Sequence, residues 1–128
     1  MLDRQAVWFT LPWPPSGNHA KAVVRGRMVK TKAAREWARA AAVIARSQGI
    51  ALPFPKDARL EAEFTFYADA KRRSDLDNLQ KSLQDAMKGV AWHDDRQLWK
   101  VTALRVRRVP ADPEVAVVVR IHVPKERE

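Results

Sequence analysis

Leu60-Glu61-Ala62-Glu63-Phe64-Thr65-Phe66-Tyr67-Ala68 alternates apolar and polar side chains along its whole length. Successive side chains of a strand point to opposite faces, so this pattern predicts a half-buried strand. Leu60, Ala62, Phe64, Phe66 and Ala68 should face inward, and Glu61, Glu63, Thr65 and Tyr67 outward. Downstream, the basic loop Lys71-Arg72-Arg73-Ser74 leads into a helix expected from about Leu76 to Lys88, with Gly89 as its stop. Two more strands are expected, at about Leu98 to Val109 and Val115 to Val123, joined by a turn at Pro110-Ala111-Asp112-Pro113. In the second of them Val115, Val117, Val119, Ile121 and Val123 make one apolar face.

Upstream, Ala6 to Leu11 is apolar and β-prone, and Pro12-Trp13-Pro14-Pro15-Ser16-Gly17-Asn18 stops it, because proline has no N–H to give to a ladder. Pro-Trp-Pro-Pro has the composition of a polyproline II ligand, yet one short occurrence beside an apolar strand reads more simply as a turn next to the core. After a basic segment, Thr31 to Gln48 is helical in pattern, with Thr31 as N-cap and Gly49 as stop. Ala34, Trp37, Ala38, Ala41, Ile44 and Ala45 share its inner face, while Lys32, Arg35, Arg39 and Arg46 lie largely opposite. The order strand, basic segment, helix, strand, helix, strand, strand predicts a single α+β domain over residues 1–128. Its expected form is a small mixed sheet of four to five strands with two main helices packed on one face.

Composition narrows the function. Lys and Arg number 24 against 15 Asp and Glu, a net charge of +9, which makes a polyanion such as DNA or RNA the first partner to consider. Cysteine is absent, so disulfides, thiolate nucleophiles and sulfur-rich zinc sites are excluded, and any metal must be held by oxygen or histidine. No apolar run approaches the length of a membrane span, and Met1-Leu2-Asp3-Arg4 lacks a signal peptide's apolar stretch, so a cytosol-like compartment is expected. Glycine-rich phosphate loops, nucleophile elbows and zinc-type histidine spacings do not occur.

The chemistry concentrates where acid follows base. Asp75 and Asp77 stand at the junction of the basic loop and the second helix, and Asp94-Asp95 forms another acidic pair after Trp92-His93. Two carboxylates at such a place suit a hard cation such as Mg²⁺. They equally suit the capping of free N–H groups at the positive end of a helix. The basic run before them, which would hold phosphate, and Lys81, four residues beyond Asp77 on the same helix face, favour the metal. Lys81 would add a charge at the attacked phosphate, its alternative being a surface ion pair with Asp77. Asp85 lies one further turn along and would orient Lys81 or metal-bound water. His19 and His122 read as structural or surface residues; His93 alone adjoins the acids. The five tryptophans could stack bases, but Trp37 fits the inner face of its helix, and core packing is the better reading for most of them.

These residues resemble the RusA-type Holliday junction resolvases. Leu11-Pro12-Trp13-Pro14-Pro15-Ser16 is similar to that family's first strand and loop, Asp75-Leu76-Asp77-Asn78-Leu79-Gln80-Lys81 to its D-x-D-N-x-x-K core, and Asp94-Asp95-Arg96-Gln97 to its D-D-x-Q element. The stretch His19 to Arg27 departs from the pattern. The resemblance implies that Asp75, Asp77 and Asp95 bind Mg²⁺, with Mn²⁺ as a substitute, and that Lys81 acts at the scissile phosphate. Asp94, Asp85 and Asn78 would support them. It also implies a homodimer, since two symmetric cuts need two sites, with Lys71, Arg72, Arg73, Lys32, Arg35 and Arg39 on the DNA arms. The expected function is resolution of four-way DNA junctions by paired nicks. The alternatives are a non-catalytic dimeric nucleic-acid-binding module, whose acids are only helix caps, and a nuclease for other substrates such as flaps, forks or RNA.

Overall fold

The computed structural model describes residues 6–14, 21–24, 27–48, 52–68, 75–107 and 116–124, and of 21–24 and 27–30 the backbone alone. The chain begins with β1 (Val7–Leu11), followed by β2 (Lys21–Val24) and β3 (Arg27–Lys30). Helix α1 (Lys32–Ser47) leads to β4 (Leu60–Ala68) and helix α2 (Leu76–Met87). A 3-10 turn at Asp95–Gln97 then opens β5 (Leu98–Arg107), and β6 (Val117–His122) follows. The main sheet has four strands in the order β1-β6-β4-β5. It is mixed: β4 and β5 run parallel, whereas β6 is antiparallel to both of its neighbours.

Register explains the core. Phe9 lies opposite Val119, Val119 opposite Phe64, and Phe64 opposite Ala103, so one row of side chains crosses the whole sheet on the same face. Phe9, Phe64 and Val119 are fully buried, and α1 and α2 close that face with Ala41, Ala45, Leu79, Leu83, Ala86 and Met87. Trp37, Ala38 and Ile44 pack at the margin of this core. Burying a side chain such as Phe64 contributes roughly 1.5–3 kcal/mol. The opposite face carries polar pairs: Arg120 Nη1 donates to Glu63 Oε2 at 2.6 Å, and His122 Nε2 lies 3.3 Å from Glu61 Oε1.

The expected strand at Leu60 to Ala68 and both helices fall where the periodicity places them. Thr31 caps α1 by accepting from the Ala34 N–H at 3.2 Å, and Gly89, with φ of 85°, follows α2 in the left-handed region that glycine tolerates. The basic segment before α1 is corrected: β2 and β3 pair antiparallel there as a separate two-stranded sheet. Val115, Gly49, His19 and the turn at residues 110–113 lie outside the described residues.

Parallel pairing of β4 with β5 makes α2 a crossover. Two neighbouring parallel strands cannot be joined by a tight turn, so the chain must return along the sheet between them, and α2 is that return. It sets the ends of α2 at opposite ends of the sheet.

Candidate active site

Asp75 and Asp77 sit at the end of the sheet where β4 finishes. Asp75 occupies the N-cap position of α2, with extended backbone angles, and its carbonyl accepts the Leu79 N–H at 3.1 Å. Its carboxylate, however, makes no capping hydrogen bond. Asp77 Oδ1 accepts the Asn78 N–H at 3.0 Å, so Asp77 serves the helix start with one oxygen. Both residues are exposed, as is Lys81 one turn on. Among the described residues Lys81 forms no ion pair with Asp77. Asp85 is half-buried a further turn along α2.

Asp94 and Asp95 are built quite differently. Asp94 caps the 3-10 turn: its Oδ1 accepts the Arg96 N–H at 2.9 Å, and Gln97 Oε1 accepts the Asp94 N–H at 3.2 Å in return. The Arg96 backbone N–H first, and then the Arg96 side chain, hold the Asp94 carboxyl below its ordinary value. Asp95 Oδ1 accepts the indole N–H of Trp92 at 2.8 Å, and Trp92 is fully buried. That bond fixes one carboxylate oxygen from a rigid ring and leaves Oδ2 to point elsewhere.

Gln97 fastens this corner to the rest of the domain. Its Oε1 accepts the His93 N–H at 2.7 Å as well as that of Asp94, while its Nε2 donates to the carbonyls of Pro55 at 2.8 Å and Ala58 at 3.1 Å. A buried amide with every hydrogen-bonding group engaged is costly to disturb. Trp92 and Gln97 thus shape the site without having been singled out from the sequence as doing so. For Gln97 a signal existed, because an acid followed three residues later by Gln is a capping-box pattern. For Trp92 none did, since a buried indole in the sequence looks like any other.

The donor set suits a hard divalent cation: carboxylates from Asp75, Asp77 and Asp95, and no thiolate in the chain. What the fold does not do within one chain is gather them. Among the described residues no group of three or more acidic or histidine side chains lies close enough to share a metal. Asp77 is near the start of α2, while Asp95 is tied to the other end. Lys88 bridges to Trp92, the Gly89 N–H donates to the Trp92 carbonyl at 2.6 Å, and the Ala91 N–H donates to the Met87 carbonyl at 2.8 Å. The ten steps along the helix from Asp77 to Met87 span about 15 Å.

Of the expected DNA contacts, Lys32, Arg35 and Arg39 are exposed on α1, with Lys32 Nζ 3.7 Å from Glu36 on the same face. Lys71, Arg72 and Arg73 lie outside the described residues. His93 is exposed.

With acids and Lys81 at one end of α2 and a stapled Asp95 at the other, comparison with known proteins decides the family. The model of the endodeoxyribonuclease RusA family matches residues 12–122. The chain belongs to the RusA family. It is 36% identical over 104 residues to the crossover junction endodeoxyribonuclease RusA of Escherichia coli K12, covering 79% of this chain and 81% of that protein. The same figures hold for the namesakes from Enterobacteria phage 82 and Shigella sonnei. RusA proteins are endodeoxyribonucleases, so the chain is a hydrolytic enzyme of DNA by family. Among its described residues no helix is long and apolar enough to cross a membrane.

Proposed function

We propose that this RusA-family protein is a Mg²⁺-dependent endodeoxyribonuclease, with Mn²⁺ as a substitute, that acts as a homodimer in the cytoplasm and resolves four-way DNA junctions by paired symmetric nicks. The observation that carries the reading is Asp75: it stands at the N-cap of α2, yet its carboxylate does none of the capping that would explain it structurally. Asp75, Asp77 and Asp95 would hold the ion, which when bound supplies an activated water and relieves negative charge at the phosphate.

The chain's own groups account for the remainder. Lys81, exposed and unpaired with Asp77, presents a point charge to the attacked phosphate. Trp92 and Gln97 keep Asp95 in one orientation, and Asp94 shapes the turn that carries it. The positive end of the α2 dipole adds a field favourable to phosphate close to Asp75 and Asp77. Arg35, Arg39 and Lys32 on the outer face of α1, and Lys71, Arg72 and Arg73, would hold the DNA arms.

The test is cleavage of a labelled four-way junction beside linear duplex, flap and fork of matching sequence, with Mg²⁺ or EDTA, by wild type and Asp77→Asn. Asparagine keeps the acceptor for the Asn78 N–H and removes the charge, so folding and DNA binding should persist while cleavage is abolished. Paired nicks in the junction alone are the expected result. Wild-type cleavage by the variant would remove Asp77 from the site; equal cutting of flaps and forks would broaden the substrate. Binding without cutting in any metal would leave a DNA-binding module.

A further inference from the structure

At the Asp95 end of the sheet, Trp99 is 67% exposed, and the guanidinium carbon of Arg59 lies 4.3 Å from the centroid of its ring. Among the described residues no large apolar side chain is more exposed. Leu60 pairs with Leu98 and Glu61 with Lys100, so Trp99 has no partner on β4 and is an extra residue in the ladder. An inserted residue re-aims a side chain, and such insertions gather beside active sites. Among the described residues no carboxylate pairs with Arg59, so no ion pair neutralises its charge.

Arg59 and Trp99 both grow from the corner that carries Asp95. Trp99 follows the 3-10 turn that Asp95 opens, and Arg59 follows Ala58, whose carbonyl accepts from Gln97 Nε2 at 3.1 Å. Ala58 is held a second time by its N–H, which donates to the Pro55 carbonyl at 3.0 Å. Gln97 also accepts the His93 and Asp94 N–H groups, so one buried amide ties the turn of Asp95 to the backbone beside Arg59. A flat ring held in solvent with a cation over one face suits a nucleotide: the ring takes the base, and the cation a neighbouring phosphate.

Resting on the nuclease reading above, we propose that Trp99 and Arg59 form a stacking site for one unstacked nucleobase at the branch point of the DNA. In an unbroken duplex every base is covered on both faces by its neighbours, and the ring has nothing to stack on. At a branch point the stack is interrupted and the π-face of a base becomes available. The pair therefore selects branched DNA over linear duplex. Carboxylates that meet only a phosphate cannot make that distinction, because every phosphate of both substrates looks alike to them.

Binding in EDTA, where no strand is cut, tests the site with a four-way junction and a linear duplex of matching sequence. Thermal unfolding and sedimentation are followed for each variant, and the exposed ring should be removable without loss of fold or mass. Trp99→Ala should bind the junction about tenfold more weakly, the scale of one lost stacked base, and the duplex within about twofold of wild type. Trp99→Phe, which keeps a π-face, should recover most of the loss; Trp99→Leu, which keeps apolar area alone, should not. Junctions lacking a single base locate the contact: at one branch-point nucleotide, base removal should shrink the effect of Trp99→Ala to less than about twofold. Arg59→Gln should lower the salt slope of junction binding by about one, and an unchanged slope would overturn the phosphate contact. Equal weakening on junction and duplex, full recovery by Trp99→Leu, or undiminished loss on every base-free junction would overturn the stacking site. A lower mass for Trp99→Ala would overturn it too, by placing the ring in a contact between copies. Wild type that binds the junction no better than duplex would refute the nuclease reading along with it, whereas a wild-type preference that survives intact in Trp99→Ala refutes the stacking site alone.

Discussion

Replacing Gln97 by leucine should loosen the whole corner that carries Asp95. The two side chains are similar in volume, so the change removes hydrogen bonds more than packing. Pro55 retains a partner, because its carbonyl also accepts the Ala58 N–H at 3.0 Å. The His93 N–H, the Asp94 N–H and the Ala58 carbonyl each lose the bond that Gln97 provides. A buried group left unsatisfied costs about 1–3 kcal/mol, and solvent reaches part of this loop, so the three together should cost about 3 kcal/mol. For a domain of this size that corresponds to a fall in Tm of roughly 10 °C. Thermal unfolding followed by circular dichroism is the assay, at one fixed protein concentration because the proposed dimer would make Tm concentration-dependent. Gln97→Glu refines the test, since it keeps the acceptor for both N–H groups but turns a carboxylate oxygen toward two carbonyls. Its folded-state pKa should therefore be raised. Protonated, it restores a donor, so the deficit against wild type should narrow as pH falls into the ordinary carboxylate range and widen as pH rises through the raised pKa. A Tm within 2 °C of wild type for the leucine variant (about 0.5 kcal/mol) would refute the account of Gln97 as a staple.

Trp92→Phe should keep most of the buried volume but leave Asp95 without its indole donor; we expect Mn²⁺ affinity to fall about tenfold, as for loss of an outer-sphere partner, and unchanged affinity would refute the positioning role. Asp94, held below its ordinary value of 3.8 by the Arg96 backbone N–H and then its side chain, contributes stability that is present above that value and lost as pH falls through the lowered pKa. Its carboxyl carbon should accordingly titrate below 3.8 by NMR, and Asp94→Asn should lose its disadvantage against wild type at the acid end; titration at or above 3.8 would contradict the hydrogen-bonding account.

Much of the fold is legible in short stretches because its elements are periodic. The alternation from Leu60 to Ala68, the alanine-rich stripe from Ala34 to Ala45 and the Thr31 cap each declare themselves within one or two turns or a single strand. The β2–β3 hairpin did not. Its residues, Lys21–Val24 and Arg27–Lys30, are basic and short, with no clean alternation to mark a buried face. The acidic positions were also legible from their spacing, but their roles were not: capping and metal binding call for the same residues at a helix start, and that the Asp75 side chain makes no capping bond while Asp77 accepts the Asn78 N–H is visible only in three dimensions.

The amino-acid sequence by itself determined the class of the domain, the basic character that suits DNA and the acids and lysine of the RusA pattern, because each is a local property of composition and spacing. The tertiary structure alone decided which strands are neighbours, and so which ends of the chain meet. Parallel pairing of β4 with β5 depends on contacts between residues nearly forty positions apart, such as Leu60 with Leu98, and no local periodicity encodes it. That one pairing stretches α2 between Asp77 and Asp95, while the bonds from Trp92 and Gln97 hold Asp95 at the far end. Spacing along the chain suggests one cluster of carboxylates; the direction of a strand separates them into two.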